Sequence, residues 1–186
     1  MLERYDIEEQ FEDIGWLLDE AEAITANSLA ITAARVSILR AMGRTQEAQQ
    51  LLDEYVTDSS DFNAHMMRAT YWASVGELER AEQDYRKLTS FPDQGASGYA
   101  VLSSFYARNQ RLDEAVTALE EGLKLDPNNL SLQRALMKTL IVRGQEQDRD
   151  RALGLLSALE EKLPRDPELM KLRALQMLNE QTPESQ

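Results

Sequence analysis

The chain has 186 residues, of which 42% are hydrophobic and 28% are charged, a composition typical of folded rather than disordered proteins. Its formal net charge of −13 argues against nucleic acid or an anionic membrane surface as a partner, because both attract basic surfaces. The sequence contains no cysteine, which excludes disulfides and thiolate chemistry.

The N-terminal region is predicted to form a helix from about Asp6 to Ile24. Apolar residues recur there at three- and four-residue steps and form one stripe, while acidic residues occupy the other face. The stripe consists of Phe11, Ile14, Leu17, Leu18, Ala21 and Ile24. The acidic start of the sequence lacks an apolar core, so we expect no secretory signal. No apolar run approaches the length of a membrane span.

Repetition dominates the rest of the sequence. Alanines recur at spacings of 33, 34 and 37 residues, namely Ala48, Ala81, Ala115 and Ala152. A glycine or glutamine precedes each of them at spacings of 33, 34 and 34 residues, namely Gly43, Gly76, Gln110 and Gly144. A period near 34 residues is typical of helix–turn–helix solenoids. The sequence therefore predicts an all-α fold of stacked helix pairs.

Four helical hairpins are predicted after the first helix. Their helices are 29–42 with 45–57, 62–75 with 78–89, 96–108 with 112–125, and 130–143 with 149–163. The turn glycines suit helix ends that need a positive φ. The fourth hairpin is longer by about three residues in Gln145–Arg151, and we expect this segment to form a solvated loop. A last helix is predicted over Glu168–Leu178, followed by a disordered tail, Asn179–Gln186.

The residues of Ala96–Asn129 resemble the tetratricopeptide repeat family, whose repeats carry small residues at positions 8, 20 and 27 and a proline at 32. The matching residues are Tyr99, Leu102, Ser103, Tyr106, Ala115, Leu119, Gly122 and Pro127. The first helix is similar to the second helix of a repeat, with Ile14, Leu18 and Ala21 at the packing positions. The resemblance implies a right-handed superhelical α-solenoid of stacked antiparallel helix pairs.

This resemblance also implies a division of the chain. Residues 1–28 hold an N-terminal capping helix, and residues 167–179 hold a C-terminal capping helix. The four repeats between them are 29–61, 62–95, 96–129 and 130–166, and residues 180–186 form the tail.

Charge is distributed unevenly between the two helices of each predicted pair. The first helices contain no aspartate or glutamate but carry basic residues, namely Arg35, Arg40, Arg68, Arg108, Arg134, Lys138 and Arg143. In the tetratricopeptide family the first helices line a concave groove, so the resemblance implies a groove more basic than the exterior. Such a surface attracts an anionic ligand, and an acidic peptide or partner helix is the natural candidate.

The sequence therefore predicts a non-enzymatic protein–protein interaction scaffold that binds a protein or peptide partner, without nucleic acid, cofactor or metal. The candidate peptide-binding residues are Arg40, Asn63, Met66, Thr70, Ser104, Arg108, Arg134 and Lys138. An alternative stays open, in which the basic residues pair with carboxylates of the second helices. For Arg35 and Arg68, which share position 7, we expect this pairing between repeats.

Two further interpretations of the function remain. The amphipathic end helices predict self-association as a homo-oligomer, and the chain is also compatible with a regulatory region of a larger enzyme or assembly complex. No catalytic motif supports enzyme activity in the sequence itself. We expect a cytoplasmic location, or a periplasmic one if the chain is a fragment of an exported or membrane-anchored protein.

Overall fold

The computed structural model describes residues 2–25, 28–57 and 59–180. Its helices are α1 (Leu2–Ile24), α2 (Leu29–Ala41), α3 (Thr45–Thr57), α4 (Phe62–Ser74), α5 (Leu78–Leu88), α6 (Gly95–Arg108), α7 (Leu112–Leu125), α8 (Leu130–Arg143), α9 (Glu146–Lys162) and α10 (Pro167–Glu180). Within these ranges there is no β-strand, which confirms the all-α prediction. Of the predicted tail, Asn179 and Glu180 belong to α10, and residues 181–186 lie outside the described ranges.

The turns inside the four hairpins share one backbone feature. Gly43, Gly76 and Gly144 have φ values of 74°, 84° and 68°, as the sequence predicts. At the corresponding place in the third hairpin, Gln110 has a φ of 61°, a conformation that usually favours glycine. The left-handed residue lets each chain reversal follow directly from the end of the first helix.

The predicted loop in the fourth hairpin is wrong, because the segment is helical. α9 begins at Glu146, so most of the additional residues lengthen this helix at its N-terminus. Asp148 is buried and accepts hydrogen bonds from Arg143 Nε and Nη2 at 2.7 and 2.6 Å. Acidic residues also suit the positive end of the helix dipole. A carboxylate that the sequence suggests is solvated therefore anchors the first turn of α9.

The helices fall into two compact units, one ending at Lys87 and the other beginning at Leu88. In the first unit, α1 packs on α2, α2 packs on α3, and α4 contacts both α2 and α3. The buried residues of this unit include Ala48, Leu52, Val56, Ala64, Ala69 and Trp72.

In the second unit, α6, α7, α8, α9 and α10 pack in succession, and α6 also contacts α8. One apolar cluster joins α7, α8 and α9 through Val116, Leu119, Leu132, Leu136, Leu140 and Ala152. A second cluster joins α8, α9 and α10 through Met137, Leu156, Leu159 and Leu169. Stability in this arrangement comes from stacking, since no single hairpin covers its own apolar stripe.

Small residues set the closest helix approaches. The repeated alanines Ala48, Ala81 and Ala115 are fully buried, and Ala152 is 5% exposed. A Cβ atom added to Gly98 would lie 2.3 Å from the Leu88 carbonyl oxygen, so only glycine fits there. The sequence pattern of small residues is thus explained by backbone contact.

Candidate functional site

Helices α2, α4, α6 and α8 are the first members of the four pairs, and none contains an acidic residue. Their basic side chains can either face a ligand or form ion pairs within the protein, and the contacts of each side chain distinguish the two cases. The structure contains both kinds of basic residue.

The two arginines at position 7 are paired with carboxylates, as predicted. Arg35 Nη2 lies 2.6 Å from Asp19 Oδ1 and 2.7 Å from Glu22 Oε2, both on α1. Arg68 bonds to Asp84 of α5 through Nε and Nη2 at 2.8 and 2.7 Å. Its Nη1 lies 3.1 Å from an oxygen of Asp53 on α3. These arginines join neighbouring helices and are not available to a ligand.

Arg143 has a similar structural role at the end of α8. Besides Asp148, it bonds to Asp113 of α7 through Nη1 at 2.9 Å. The hydrogen bond from Arg143 holds the pKa of Asp148 below its ordinary value of 3.8. One guanidinium therefore links three consecutive helices.

The candidate residues Arg134 and Lys138 lie one turn apart on α8 and are only partly buried. Arg134 Nη2 is 2.7 Å from Asp166 Oδ2, and Lys138 Nζ is 2.7 Å from Glu168 Oε1. Arg134 Nη1 also reaches Glu168 at 3.4 Å. The structure thus brings these two cations together and places two carboxylates on them.

These two carboxylates belong to the start of α10. Asp166 caps the helix by accepting hydrogen bonds from the backbone N–H groups of Glu168 and Leu169. The Leu169 N–H and then the Arg134 side chain lower the pKa of Asp166. The Lys138 ammonium lowers the pKa of Glu168. Asp166 therefore caps α10 and pairs with Arg134 at the same time.

The other two candidates of this unit lie on α6, which packs against α8. Ser104 and Arg108 are one turn apart and both exposed. The Ser104 hydroxyl donates to the Ala100 carbonyl at 3.0 Å. Within the described ranges, Arg108 has no carboxylate partner.

The remaining candidates lie on α2 and α4 of the first unit. Arg40 stacks over the Tyr71 ring at 5.5 Å and, among described residues, forms no ion pair. Asn63 and Thr70 are exposed, and Met66 is half-buried. The Thr70 hydroxyl donates to the Met66 carbonyl at 2.8 Å. The aromatic contact of Arg40 was not anticipated from the sequence.

Neither metal binding nor membrane insertion has support in the described part of the chain. No cluster of three or more histidine, aspartate or glutamate side chains there is arranged to hold a metal ion. None of the helices described combines the length and the apolar character needed to cross a membrane.

A family model described as tetratricopeptide repeat matches residues 96–129, which contain α6 and α7. Residues 96–129 therefore match a tetratricopeptide repeat. Among curated proteins, no match to the chain was found.

Solved structures with a similar fold share little sequence with this chain. A crystal structure of MamA is 14% identical with a TM-score of 0.57, covering 88% of this chain and 96% of that one. YrrB, described as a TPR protein with an unusual peptide-binding site, is 14% identical with a TM-score of 0.56, covering 90% and 85%. A tetratricopeptide repeat protein from Parabacteroides merdae is 21% identical with a TM-score of 0.59, covering 93% and 66%. The fold is one that generally mediates protein–protein interactions.

Proposed function

We propose that this protein is a non-enzymatic scaffold that binds an acidic peptide or partner helix on its acid-free helices. The observation that carries the proposal is the pair Arg134 and Lys138, each with a carboxylate at 2.7 Å. The spacing of one helical turn presents two cations to a chain that carries two acidic side chains. Charge-assisted hydrogen bonds to carboxylates are the strong ones in such recognition.

An acidic ligand at this position replaces the carboxylates of Asp166 and Glu168. Arg134 and Lys138 retain 27% and 44% of their side-chain exposure, so both pairs are partly solvated. Exposed ion pairs such as Lys138–Glu168 contribute about 0–1 kcal/mol, and an incoming carboxylate therefore displaces that pair at low cost. Arg108 on the adjacent α6 adds a cation that holds no carboxylate within the described ranges.

In the first unit, Arg40, Asn63, Met66 and Thr70 form a second proposed contact surface on α2 and α4. The Tyr71 ring beneath Arg40 restrains the guanidinium, which reduces the entropy lost when the arginine binds a ligand. The amide of Asn63 and the hydroxyl of Thr70 provide neutral hydrogen-bonding groups on α4.

Selection from a phage-displayed random peptide library on the immobilised protein tests the proposal. We expect the selected peptides to be enriched in aspartate and glutamate, and their affinity to fall as salt rises. Fluorescence polarisation with a selected peptide then compares Arg134→Glu/Lys138→Glu with the wild type. Loss of two cations and gain of two anions weakens binding by at least about tenfold.

The matched control is Arg149→Glu/Lys162→Glu, which makes the same charge change at exposed residues of α9. Circular dichroism verifies that both variants fold. Equal loss in both variants would show a general charge effect and reject the assigned surface. Peptides without acidic enrichment would reject the acidic ligand.

A further inference from the structure

Helix α10 occupies the place of a first helix whose second helix is absent from the described structure. Counting each repeat from Leu29, Phe62, Ala96, Leu130 and Pro167, position 8 is occupied by Val36, Ala69, Ser103, Met137 and Ala174. The first four of these are at most 6% exposed, since the second helix of the pair covers them. Ala174 is exposed.

The neighbouring positions of α10 are equally uncovered. Met177 stands at position 11 and is 54% exposed, whereas Trp72, Tyr106 and Leu140 at the same position are at most 2% exposed. Met170, at position 4, is 61% exposed. Met170, Ala174 and Met177 follow one another at helical spacing, and we name them the α10 stripe. The other side of α10 is anchored by Leu169, which is fully buried against α8 and α9.

Helix α1 resembles the second helix of a repeat, but the first helix of that repeat is missing from the described structure. Its Ile14 stands where the other pairs have their repeated alanine, yet Ile14 is 41% exposed and those alanines at most 5%. Leu17 and Ile24 on the same side are 55% and 83% exposed. Together with Ala21 they form the α1 stripe.

The α1 stripe adjoins the side that packs on α2, and Leu17 and Ile24 lie outside that side. Asp19 and Glu22 bind Arg35 of α2, and Phe11 and Leu18 line an open cavity of ≈ 440 Å³ with α2 and α3. By the rotation of 3.6 residues per turn, Leu17 and Ile24 lie about 100–120° around the helix from Leu18, and Ile14 lies about 40° from it. A second helix of a repeat needs these two faces, one for each neighbouring first helix.

The two stripes are complementary in size and charge. The α10 stripe presents the small Ala174, and the α1 stripe presents the larger Ile14, so the two stripes differ in size where they would meet. Exposed Lys171 borders the α10 stripe on one side, while Arg173 on the other side already bonds to Glu160. Exposed Asp13 and Glu20 both border the α1 stripe on one side. Opposite charges at the rim of an apolar contact fix its orientation and register.

We propose that the α1 stripe of one copy packs on the α10 stripe of a second copy, which completes a helix pair between two chains. The contact joins different surfaces of the two copies and is therefore head-to-tail. Its surfaces on α1 and α10 differ from the surface on α8 proposed for the acidic ligand, although that ligand would release Glu168 of α10 from Lys138.

Sedimentation velocity over a concentration series tests this contact with two variants. Leu17→Glu blocks the α1 stripe, and Met177→Glu blocks the α10 stripe. We expect the wild type to associate as concentration rises, and each variant alone to be at least about tenfold weaker, since a charge is buried at the contact centre. In an equimolar mixture, the Leu17→Glu variant supplies an intact α10 stripe and the Met177→Glu variant supplies an intact α1 stripe. We therefore expect the mixture to form a 1:1 complex.

Val142→Glu is the control, because Val142 is 68% exposed and apolar but lies on α8 outside both stripes. It should associate like the wild type. A wild type that stays monomeric at all concentrations would overturn the proposal. Association of the wild type without complex formation in the mixture would also overturn it, because the contact would then not be head-to-tail.

Discussion

At the scale of single residues, the basic side chains of the acid-free helices divide into two groups. Arg35, Arg68 and Arg143 join helices through carboxylates, whereas Arg40 and Arg108 hold none within the described ranges. The shared position 7 predicts the pairing of the first two correctly. Arg143 pairs with acids of α7 and α9, and Arg134 pairs with acids at the start of α10. Helical spacing alone does not indicate which acids approach. Side-chain partners depend on how helices cross, which the sequence pattern does not specify.

Asp148 provides a prediction at this scale. Its folded-state pKa lies below 3.8, so its pairing stabilises the fold above that pH and the contribution disappears as the pH falls through the lowered value. Asp148→Asn should therefore lower the free energy of unfolding at pH ~7 and have a smaller effect at pH ~3. Urea unfolding at both pH values measures this difference. Asp150→Asn, an exposed acid on the same helix, is the control, and an equal effect of both substitutions would contradict the assignment.

At the scale of helices, the sequence predicts which helices form better than it predicts where each helix begins and ends. The structure has hairpin turns at the predicted places, with left-handed residues at Gly43, Gly76, Gln110 and Gly144. A helix end that needs a left-handed residue accepts few residue types, so the sequence marks it. The start of α9 does not agree, because its polar first turn is stabilised by a buried carboxylate and an arginine from α8. Local hydrophobic periodicity contains no signal for such a contact.

Two glycines inside helices of the second unit should respond oppositely to alanine. Gly154 in α9 has no atom within 4 Å of an added Cβ, so Gly154→Ala should raise the free energy of unfolding by ~1 kcal/mol. Gly98 in α6 has backbone atoms of Leu88 within 2.5 Å, and Gly98→Ala should lower the free energy of unfolding by roughly 1–3 kcal/mol. Urea denaturation of both variants is the measurement. A stabilising Gly98→Ala would contradict the close contact.

At the scale of the whole molecule, net charge opposes the compact state. The formal net charge is −13, so the excess acidic side chains repel one another at low ionic strength. Added salt reduces that repulsion. Exposed ion pairs contribute only about 0–1 kcal/mol each, so their screening costs less than the relief of repulsion. We expect the melting temperature to rise as sodium chloride increases from ~10 to ~150 mM. Differential scanning calorimetry measures the melting temperature. A lower melting temperature at the higher salt concentration would mean that the ion pairs contribute more to stability than the repulsion costs.

The longer α9 has a practical consequence. Its first turn precedes the α9 residues of the apolar clusters in the sequence, and Gln147 there is exposed. Since the sequence has no cysteine, a thiol introduced at this residue is unique in the chain. A fluorescent reporter coupled to it would follow encounters of the protein with other molecules while leaving the buried helix contacts unaltered.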